Sequence, residues 1–243
     1  MYKQKRISLI LPTFNERDSI KKVIRDFEAL GVVDEILVIN NNAVAGTSEQ
    51  VHDTSAVEIH EPVQGYGAAI QRGFAAATGD LMVVCEPDDT FLATDLHKFL
   101  AYAEDVDVVY GSRTVKTFIW KRANMGLLLR WGNWFVAKLI EVLFNTNYLS
   151  DVGCTYRLIR HEALQLLLPT FRVKSNFFGP EMMIRGYRMG LRCIQIPVNY
   201  KERVGQSSVT GDIKMAIVLG IQMIILIVTM RCGLERWLLK LVR

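Results

Sequence analysis

The fold is decided by the stretch Ile7-Ser-Leu-Ile-Leu-Pro-Thr-Phe-Asn-Glu16, near the start of the 243-residue chain. Its apolar first half predicts a short buried strand over residues 7–14, and the proline and polar residues that close it predict a loop. Apolar residues then recur at helical spacing, at positions 20, 23, 24, 27 and 30. A strand, a loop and a helix in this order form the first unit of an α/β fold.

The same alternation continues along the first half of the chain. Apolar runs predict further strands at residues 35–40, 57–60, 80–86 and 106–110, with segments of helical length between the earlier ones. This pattern predicts a mostly parallel sheet flanked by helices. In such sheets the ligand lies beyond the carboxyl ends of the strands, and the unusual polar motifs of this half fall at those ends.

The composition limits the chain to one catalytic-size domain with a small appendage. Its net charge of +4 is small and evenly spread, so we expect no nucleic-acid partner. The four cysteines form no CxxC pair, which favours a reducing cytosol over a disulfide framework. The first apolar run stops at Pro12, well short of a signal-peptide core, so we expect that the domain is not secreted.

Two later segments predict contact with a membrane. Residues 125–148 form an amphipathic pattern with a very wide apolar face, and residues 215–230 contain no charge. The first alone is typical of a core helix, but the two together favour a membrane-surface platform. The second is slightly shorter than the roughly 17 to 25 residues of a membrane span, so a helix lying in the interface competes with a span. We therefore expect a catalytic domain over residues 1–210 and membrane-associating helices over residues 211–243.

The strongest chemical signal is Cys85-Glu-Pro-Asp-Asp-Thr90, which places three carboxylates at the end of a predicted strand. Mg²⁺ and Mn²⁺ bind such oxygens, commonly one or two carboxylates together with substrate phosphates. Pro-Asp-Asp is equally good turn chemistry, so the motif alone also fits a solvated turn.

The stretch Gly65-Tyr-Gly-Ala-Ala-Ile70 does not fit a nicotinamide-binding site. Ile70 replaces the third glycine of that fingerprint, and the loop follows the third strand instead of the first. The glycines either let a helix N-terminus approach a phosphate, with Arg72 nearby, or only form a turn.

Taken in order, these motifs resemble those of the family 2 glycosyltransferases, which have the GT-A fold, and in particular the branch that includes dolichyl-phosphate mannose synthases. The resemblance covers about residues 6–210, and its specificity comes from the joint order of the motifs. It rests on Leu11-Pro-Thr-Phe-Asn-Glu16, Val38-Ile-Asn-Asn-Asn42, Gly46-Thr47, Gly65-Tyr-Gly-Ala-Ala-Ile-Gln-Arg-Gly73, Glu86-Pro-Asp88, Gly111-Ser-Arg113, Ser150-Asp-Val-Gly-Cys-Thr-Tyr-Arg157 and Ile196-Pro-Val-Asn-Tyr-Lys-Glu-Arg-Val-Gly-Gln-Ser-Ser208.

The resemblance implies a site for a nucleotide-diphosphate sugar. The implied donor-binding positions are Pro12, Thr13, Asn15, Glu16, Asn40, Asn41, Gly67, Arg72, Pro87 and Asp88. The family usually has two aspartates where this chain has Asn40 and Asn41, and a further aspartate at Ala45. An asparagine carbonyl still accepts a hydrogen bond from a base, but without the charge-assisted part of its energy. Uridine and guanosine donors therefore both stay open.

The resemblance also implies the catalytic groups. Glu86 and Asp88 match the family's ligands for Mg²⁺ or Mn²⁺, and Asp88 is the stronger candidate. The matching phosphate-handling positions are Arg113, Arg122, Arg203 and Ser207. The fork of an arginine suits phosphate oxygens, although each arginine is equally compatible with a solvated surface position.

The implied reaction is an inverting sugar transfer to a polyprenyl or dolichyl phosphate at the cytoplasmic face of a membrane. The metal and the arginines would stabilise the charge on the departing diphosphate. A phosphate acceptor needs no strong base, whereas a hydroxyl acceptor, the alternative within the enzyme class, does. Asp151 is the first candidate for that base and Glu181 the second, and both also suit a structural role. A non-catalytic nucleotide-sugar-binding homologue is the other alternative, and self-association as a homo-oligomer is left open.

Overall fold

The computed structural model describes residues 1–123, 125–205 and 213–234, and in them a seven-stranded sheet in the order β3-β2-β1-β4-β6-β5-β7. Strand β6 runs antiparallel to both its neighbours, while the other paired strands are parallel, which confirms the predicted mostly parallel sheet. The strands are β1 (Ile7–Thr13), β2 (Glu35–Asn40), β3 (Val57–His60), β4 (Leu81–Val84), β5 (Val108–Ser112), β6 (Arg157–Arg160) and β7 (Cys193–Pro197).

Helices cover both faces of the sheet, and a separate apolar core fills the space on each side. Helix α1 shows why they form, because its apolar residues share one face and are buried against the sheet. The helices are α1 (Arg17–Glu28), α2 (Thr47–His52), α3 (Tyr66–Ala76), α4 (Leu96–Tyr102), α5 (Leu127–Phe144), α6 (His161–Leu167), α7 (Phe178–Arg188) and α8 (Ile213–Cys232).

The five predicted strands are present, with shifts of a few residues at their ends. Strands β6 and β7 were not predicted. Strand β6 is four residues long and has an arginine at each end, which hides it from a search for apolar runs. Arg157 is nevertheless buried, because its guanidinium donates to the backbone carbonyl oxygens of Cys154, Val152 and Gly179.

Helices α5 and α8 correspond to the two segments for which membrane contact was predicted, and they pack against each other. Their inner residues join the core, but each also carries a row of exposed apolar side chains. Among the described residues, no helix has both the length and the apolar character needed to cross a membrane. The domain boundary predicted at residue 210 lies outside the described residues. The exposed rows are Leu127, Trp131, Trp134, Phe135 and Val142 on α5, and Ile217, Val218, Ile221, Ile225 and Val228 on α8.

Helix α3 lies unusually close to the centre of the sheet. A β-carbon added at Gly73 would come within 2.3 Å of Cγ2 of Ile10 on β1 and within 3.2 Å of Cγ1 of Ile39 on β2. Helix and sheet can approach this closely only because residue 73 has no side chain.

We expect Gly73→Ala to lower the free energy of unfolding by about 1–3 kcal/mol, because the new methyl group overpacks the core. Alanine is the better helix former, so the matched control Gly132→Ala on α5 should leave stability unchanged or raise it. Apart from its chain neighbours and its own helix backbone, no heavy atom that the structure describes lies within 4 Å of a β-carbon added at Gly132. Urea unfolding of both variants measures the difference. Equal stabilities would show that α3 can move away from the sheet at no cost.

Candidate active site

Most of the predicted site lies along one edge of the sheet, where β1, β2 and β4 end. The loops after β1 and β2 are joined by backbone hydrogen bonds, since Asn41 N donates to Thr13 O (3.0 Å) and Val44 N donates to Phe14 O (2.9 Å). Pro12 and Thr13 are buried at the end of β1. Polar residues that follow different strands are therefore held next to one another.

Glu16 organises the loop after β1. Its Oε2 accepts hydrogen bonds from the backbone N–H groups of Phe14 (2.7 Å) and Asn15 (2.9 Å). Its Oε1 accepts a hydrogen bond from Nη2 of Arg203 (2.9 Å). The side chain of Asn15 is exposed, whereas the side chain of Glu16 connects this loop to Arg203.

Asp88 is the most deeply buried of the predicted metal ligands, at 1% exposure. Its Oδ1 accepts hydrogen bonds from the backbone N–H (3.0 Å) and the hydroxyl (2.6 Å) of Thr90. Its Oδ2 lies 3.2 Å from Nη1 of Arg203. One guanidinium thus joins the acidic groups that follow β1 and β4.

Glu86 is half-buried and lies close enough to Asp88 for the two charges to interact. Burial and, second to it, the charge of Asp88 raise the pKa of Glu86 to about 8, although Arg203 and Arg113 oppose the shift. Glu16 adds to the repulsion. The raised pKa favours the protonated form of Glu86 near neutral pH, and a further cation beside this carboxyl would favour the charged form.

These oxygens fit a hard divalent cation. Among the described residues, no three His, Cys, Asp or Glu side chains are grouped so as to hold a metal ion by themselves. Mg²⁺ and Mn²⁺ need no such cage, because substrate phosphates and water complete the coordination of one or two carboxylates. Glu86 and Asp88 are the pair that suits this arrangement.

Asp89 is held as a turn residue. Its backbone is left-handed, with φ 63°, and its Oδ1 is paired with the ammonium groups of Lys22 (3.0 Å) and Lys201 (2.6 Å). These two ammonium groups neutralise the charge of Asp89 within the protein, as expected if Asp89 is a turn residue.

Arg113 follows β5 and forms a two-pronged ion pair with Asp151. Its Nε lies 2.9 Å from Oδ2 and its Nη2 lies 3.0 Å from Oδ1, while its backbone N–H also donates to Oδ2 (2.9 Å). Burial alone would raise the pKa of Asp151, but the charge and hydrogen bonds of Arg113 outweigh it and hold that pKa below its usual value.

The two residues predicted as general bases are both engaged in such contacts. Asp151 is 1% exposed, and its Oδ1 also accepts a hydrogen bond from Gly153 N (2.9 Å). Glu181 is equally buried and accepts hydrogen bonds from the backbone N–H groups of Arg172 and Val173 and from Nε of Arg185. A base must reach the proton that it removes, and this geometry suits a positioning role instead.

Asn40 and Asn41 are both buried, and they have different partners. Asn41 braces the next loop, since its Nδ2 donates to the carbonyl oxygens of Glu61 and Val63 (both 2.8 Å) and its Oδ1 accepts from Gly65 N (2.8 Å). Both asparagines were predicted to read the base, but the amide nitrogen and oxygen of Asn41 are already hydrogen-bonded to the protein backbone.

The glycine motif at the start of α3 allows close packing. A β-carbon at Gly67 would lie 2.6 Å from the carbonyl oxygen of Val173, and one at Gly65 would lie 2.3 Å from that of Lys174. The N–H of Ala68 donates to the Lys174 carbonyl oxygen (2.9 Å), so the start of α3 is capped by protein backbone. This geometry favours the turn interpretation over the phosphate-binding one for Gly67.

Three other predicted positions are not joined to the acidic cluster by any contact that the structure describes. Arg72 is exposed on the outer side of α3, and Arg122 is exposed in the turn before α5. Ser207 lies outside the described residues. The roles of these positions stay predictions.

The sequence pointed to Arg203, but it did not show which contacts hold the segment around it. Residues 200–204 run along the acidic motif, since Lys201 N donates to Thr90 O (2.9 Å) and Val204 N donates to Asp88 O (3.0 Å). The ring of Tyr200 lies 5.4 Å from the guanidinium carbon of Arg113. The two backbone hydrogen bonds join residues more than 100 positions apart, which no local pattern reveals.

The sequence is similar to those of known glycosyltransferases. Residues 8–168 match the model of the family described as glycosyl transferase family 2. A dolichyl-phosphate hexose transferase of Haloferax volcanii is 27% identical over 202 residues, which cover 83% of this chain and 85% of that protein. An undecaprenyl-phosphate mannosyltransferase of Micrococcus luteus is 26% identical over 220 residues, covering 86% and 89% respectively.

The fold of the chain is also similar to the folds of enzymes with solved structures. The glucosyl-3-phosphoglycerate synthase of Mycobacterium tuberculosis, crystallised with Mn²⁺, uridine diphosphate and glucosyl-3-phosphoglycerate, superposes with a TM-score of 0.71 at 19% identity, covering 95% of this chain and 81% of that one. Since the family model spans well over half of the residues and the sheet has the matching architecture, the chain belongs to glycosyltransferase family 2 and is a glycosyltransferase of GT-A fold.

Proposed function

We propose that the chain transfers a hexose-type sugar from a nucleotide-diphosphate donor to a polyprenyl or dolichyl phosphate, at the cytoplasmic surface of a membrane. The observation that carries the proposal is the position of α5. A β-carbon at Gly153 would lie 2.7 Å from Nη2 of Arg113 and 3.0 Å from Oδ1 of Asn133, so this helix borders the Arg113–Asp151 pair. The same helix exposes Trp131 and Phe135.

This arrangement matches a substrate with two chemically different parts. A long apolar chain would lie against the exposed side chains of α5 and α8, and its phosphate would reach the guanidinium of Arg113. The curated relatives named above act, by their names, on dolichyl phosphate and undecaprenyl phosphate, which are substrates of this kind.

The acceptor chemistry favours a phosphate over a hydroxyl. A phosphate oxygen is already anionic at neutral pH and attacks without losing a proton, whereas a hydroxyl requires a base. Asp151 and Glu181 are buried and engaged by hydrogen bonds. Asp151 then serves to hold the fork of Arg113 in one orientation.

For the donor, Glu86 and Asp88 would hold Mg²⁺ or Mn²⁺ against the diphosphate, and the ion would supply positive charge as the diphosphate departs. Arg203 adds a second cation, and its buried Nε has no hydrogen-bond partner among the described residues, which leaves a donor for a diphosphate oxygen. The acceptor oxygen attacks the anomeric carbon from the face opposite the diphosphate. The new carbon–oxygen bond forms as the bond to the diphosphate breaks, so the anomeric configuration inverts.

The proposal is tested with purified protein in detergent, Mg²⁺ or Mn²⁺, polyprenyl phosphate and a panel of UDP- and GDP-sugars labelled in the sugar. We expect label in the lipid extract from one donor and none after chelation of the metal with EDTA. Transfer to polyprenol or to a sugar hydroxyl, with none to the phosphate, would overturn the proposed acceptor. Nucleotide binding without transfer to any acceptor would support a non-catalytic homologue.

Asp88→Asn should lower the rate of transfer by about two to three orders of magnitude, because it removes a charge that holds the cation at the diphosphate. The matched control is Asp89→Asn, since asparagine tolerates the left-handed backbone at this position. We expect the control to keep at least about a tenth of the wild-type rate. Equal losses in the two variants, measured as initial rates, would remove the special role of Asp88.

Arg113→Lys should raise the acceptor KM and lower kcat/KM by about tenfold to a hundredfold, because an ammonium group cannot replace the two-pronged contact with Asp151 and still face a phosphate. Arg192→Lys is a suitable control, since Arg192 also pairs with an aspartate, Asp107, but is exposed. Steady-state kinetics with varied acceptor distinguishes the two. A change in donor KM alone would contradict the assignment of Arg113 to the acceptor.

The double variant Trp131→Ser, Phe135→Ser should weaken binding to phospholipid vesicles by at least about tenfold, because two exposed aromatic rings no longer enter the interface. The control is Val57→Ser, which removes an exposed apolar side chain from β3. Co-sedimentation with vesicles measures binding. A double variant that binds like the wild type would contradict contact through α5.

A further inference from the structure

The side chain of Asn40 contacts a buried carboxylate, that of Glu58, which belongs to the neighbouring strand β3. Oε1 of Glu58 accepts hydrogen bonds from Nδ2 of Asn40 (2.7 Å) and from the hydroxyl of Ser48 (2.8 Å). Oε2 of Glu58 lies 3.3 Å from Nε2 of His52. The side chain of Glu58 is only 6% exposed, so these partners must compensate for its loss of water.

The contacts of Asn40 leave its amide only one orientation. A carboxylate can only accept hydrogen bonds, so the NH₂ group of Asn40 must face Glu58. The backbone N–H of Ala43 can only donate, and it lies 2.8 Å from Oδ1 of Asn40. The amide oxygen is therefore turned away from Glu58, and it retains a second lone pair.

Asn40 lies where the base of a nucleotide donor would be. It ends β2 and pairs in register with Thr13 at the end of β1, and β1 in turn pairs with β4, which leads into Glu86 and Asp88. Two strand spacings of about 4.8 Å separate β2 from β4, which is comparable to the length of a nucleoside. A diphosphate at Glu86 and Asp88 would thus extend its base towards Asn40.

We infer that Glu58 is a specificity-determining positioning residue, which keeps the amide oxygen of Asn40 facing the base. An oxygen in this position favours bases with a ring N–H at the pairing edge, namely uracil and guanine. Cytosine and adenine present an unprotonated ring nitrogen there, and two facing acceptors cannot form a hydrogen bond. This inference rests on the nucleotide-diphosphate donor of the proposed function.

The same contact explains why position 40 carries an amide. Two carboxylates separated by the 2.7 Å between Asn40 and Glu58 would repel each other strongly, and one of them would have to take up a proton. The family usually has an aspartate at position 40, at the end of β2. In this chain the carboxylate comes instead from Glu58 on β3. A carboxylate at position 40 should then be tolerated only when Glu58 is neutral.

The inference is tested on the full chain with Mn²⁺, by titration calorimetry with UDP, GDP, CDP and ADP. Wild type should bind UDP or GDP more tightly than CDP and ADP. Glu58→Ala removes one of the two contacts that orient the amide of Asn40 and leaves only the Ala43 N–H, so that preference should fall on the order of tenfold. The matched control is Glu49→Ala, which removes an exposed carboxylate from α2 and should keep the wild-type preference.

An exchange of charges tests the pair directly and does not depend on the folding of Glu58→Ala. Asn40→Asp alone should lower Tm and weaken binding of the preferred nucleotide. Asn40→Asp combined with Glu58→Gln should recover both, because one carboxylate again faces one amide. A double variant no better than Asn40→Asp, or a folded Glu58→Ala with the wild-type base preference, would overturn the inference. Wild-type protein that binds none of the four nucleotides would instead contradict the proposed function itself, and the inference with it.

Discussion

The site depends on the mutual repulsion of carboxylates that the sheet brings to one edge. Glu16 follows β1, while Glu86 and Asp88 follow β4, and burial together with the nearby charge of Asp88 raises the pKa of Glu86. Such a cluster folds only if cations neutralise part of it, and Arg203 does so by pairing with both Glu16 and Asp88. The negative charge that remains suits a divalent ion and its diphosphate.

Pairing also separates Glu86 from several acidic residues whose charges the fold already satisfies. Asp89, Asp151 and Glu181 each have cationic or backbone partners that satisfy them within the protein. Glu86 is half-buried beside like charges. The side chain that the fold satisfies least is therefore the best placed to bind a ligand, since a ligand relieves the repulsion.

Two features distinguish the proposed acceptor side of the site from the proposed donor side. Helix α5 borders Arg113 through Asn133 and exposes aromatic side chains elsewhere on its surface, which connects the proposed acceptor phosphate with an apolar surface. On the donor side, Glu58 accepts a hydrogen bond from the amide of Asn40, the residue that we propose to face the base. The line from β2 through β1 to β4 thus runs from the proposed base pocket to the proposed diphosphate site, and Arg113 at the end of β5 lies on the proposed acceptor side.

The sequence alone determined the α/β class, the positions of five strands and the family, because apolar periodicity and the order of short motifs are local properties that survive without coordinates. It also pointed to Glu86, Asp88, Arg113 and Arg203. Only the tertiary structure showed that Asp151 holds Arg113, that Gly67 makes room for the backbone of Val173, and that Glu58 supports Asn40. It also revealed β6, a four-residue strand that has an arginine at each end and therefore lacks a recognisable apolar run. Each of these contacts depends on partners contributed by other elements of the fold. The charge on a side chain is read from the sequence, but whether a partner already satisfies that charge depends on which strands and loops the fold brings together.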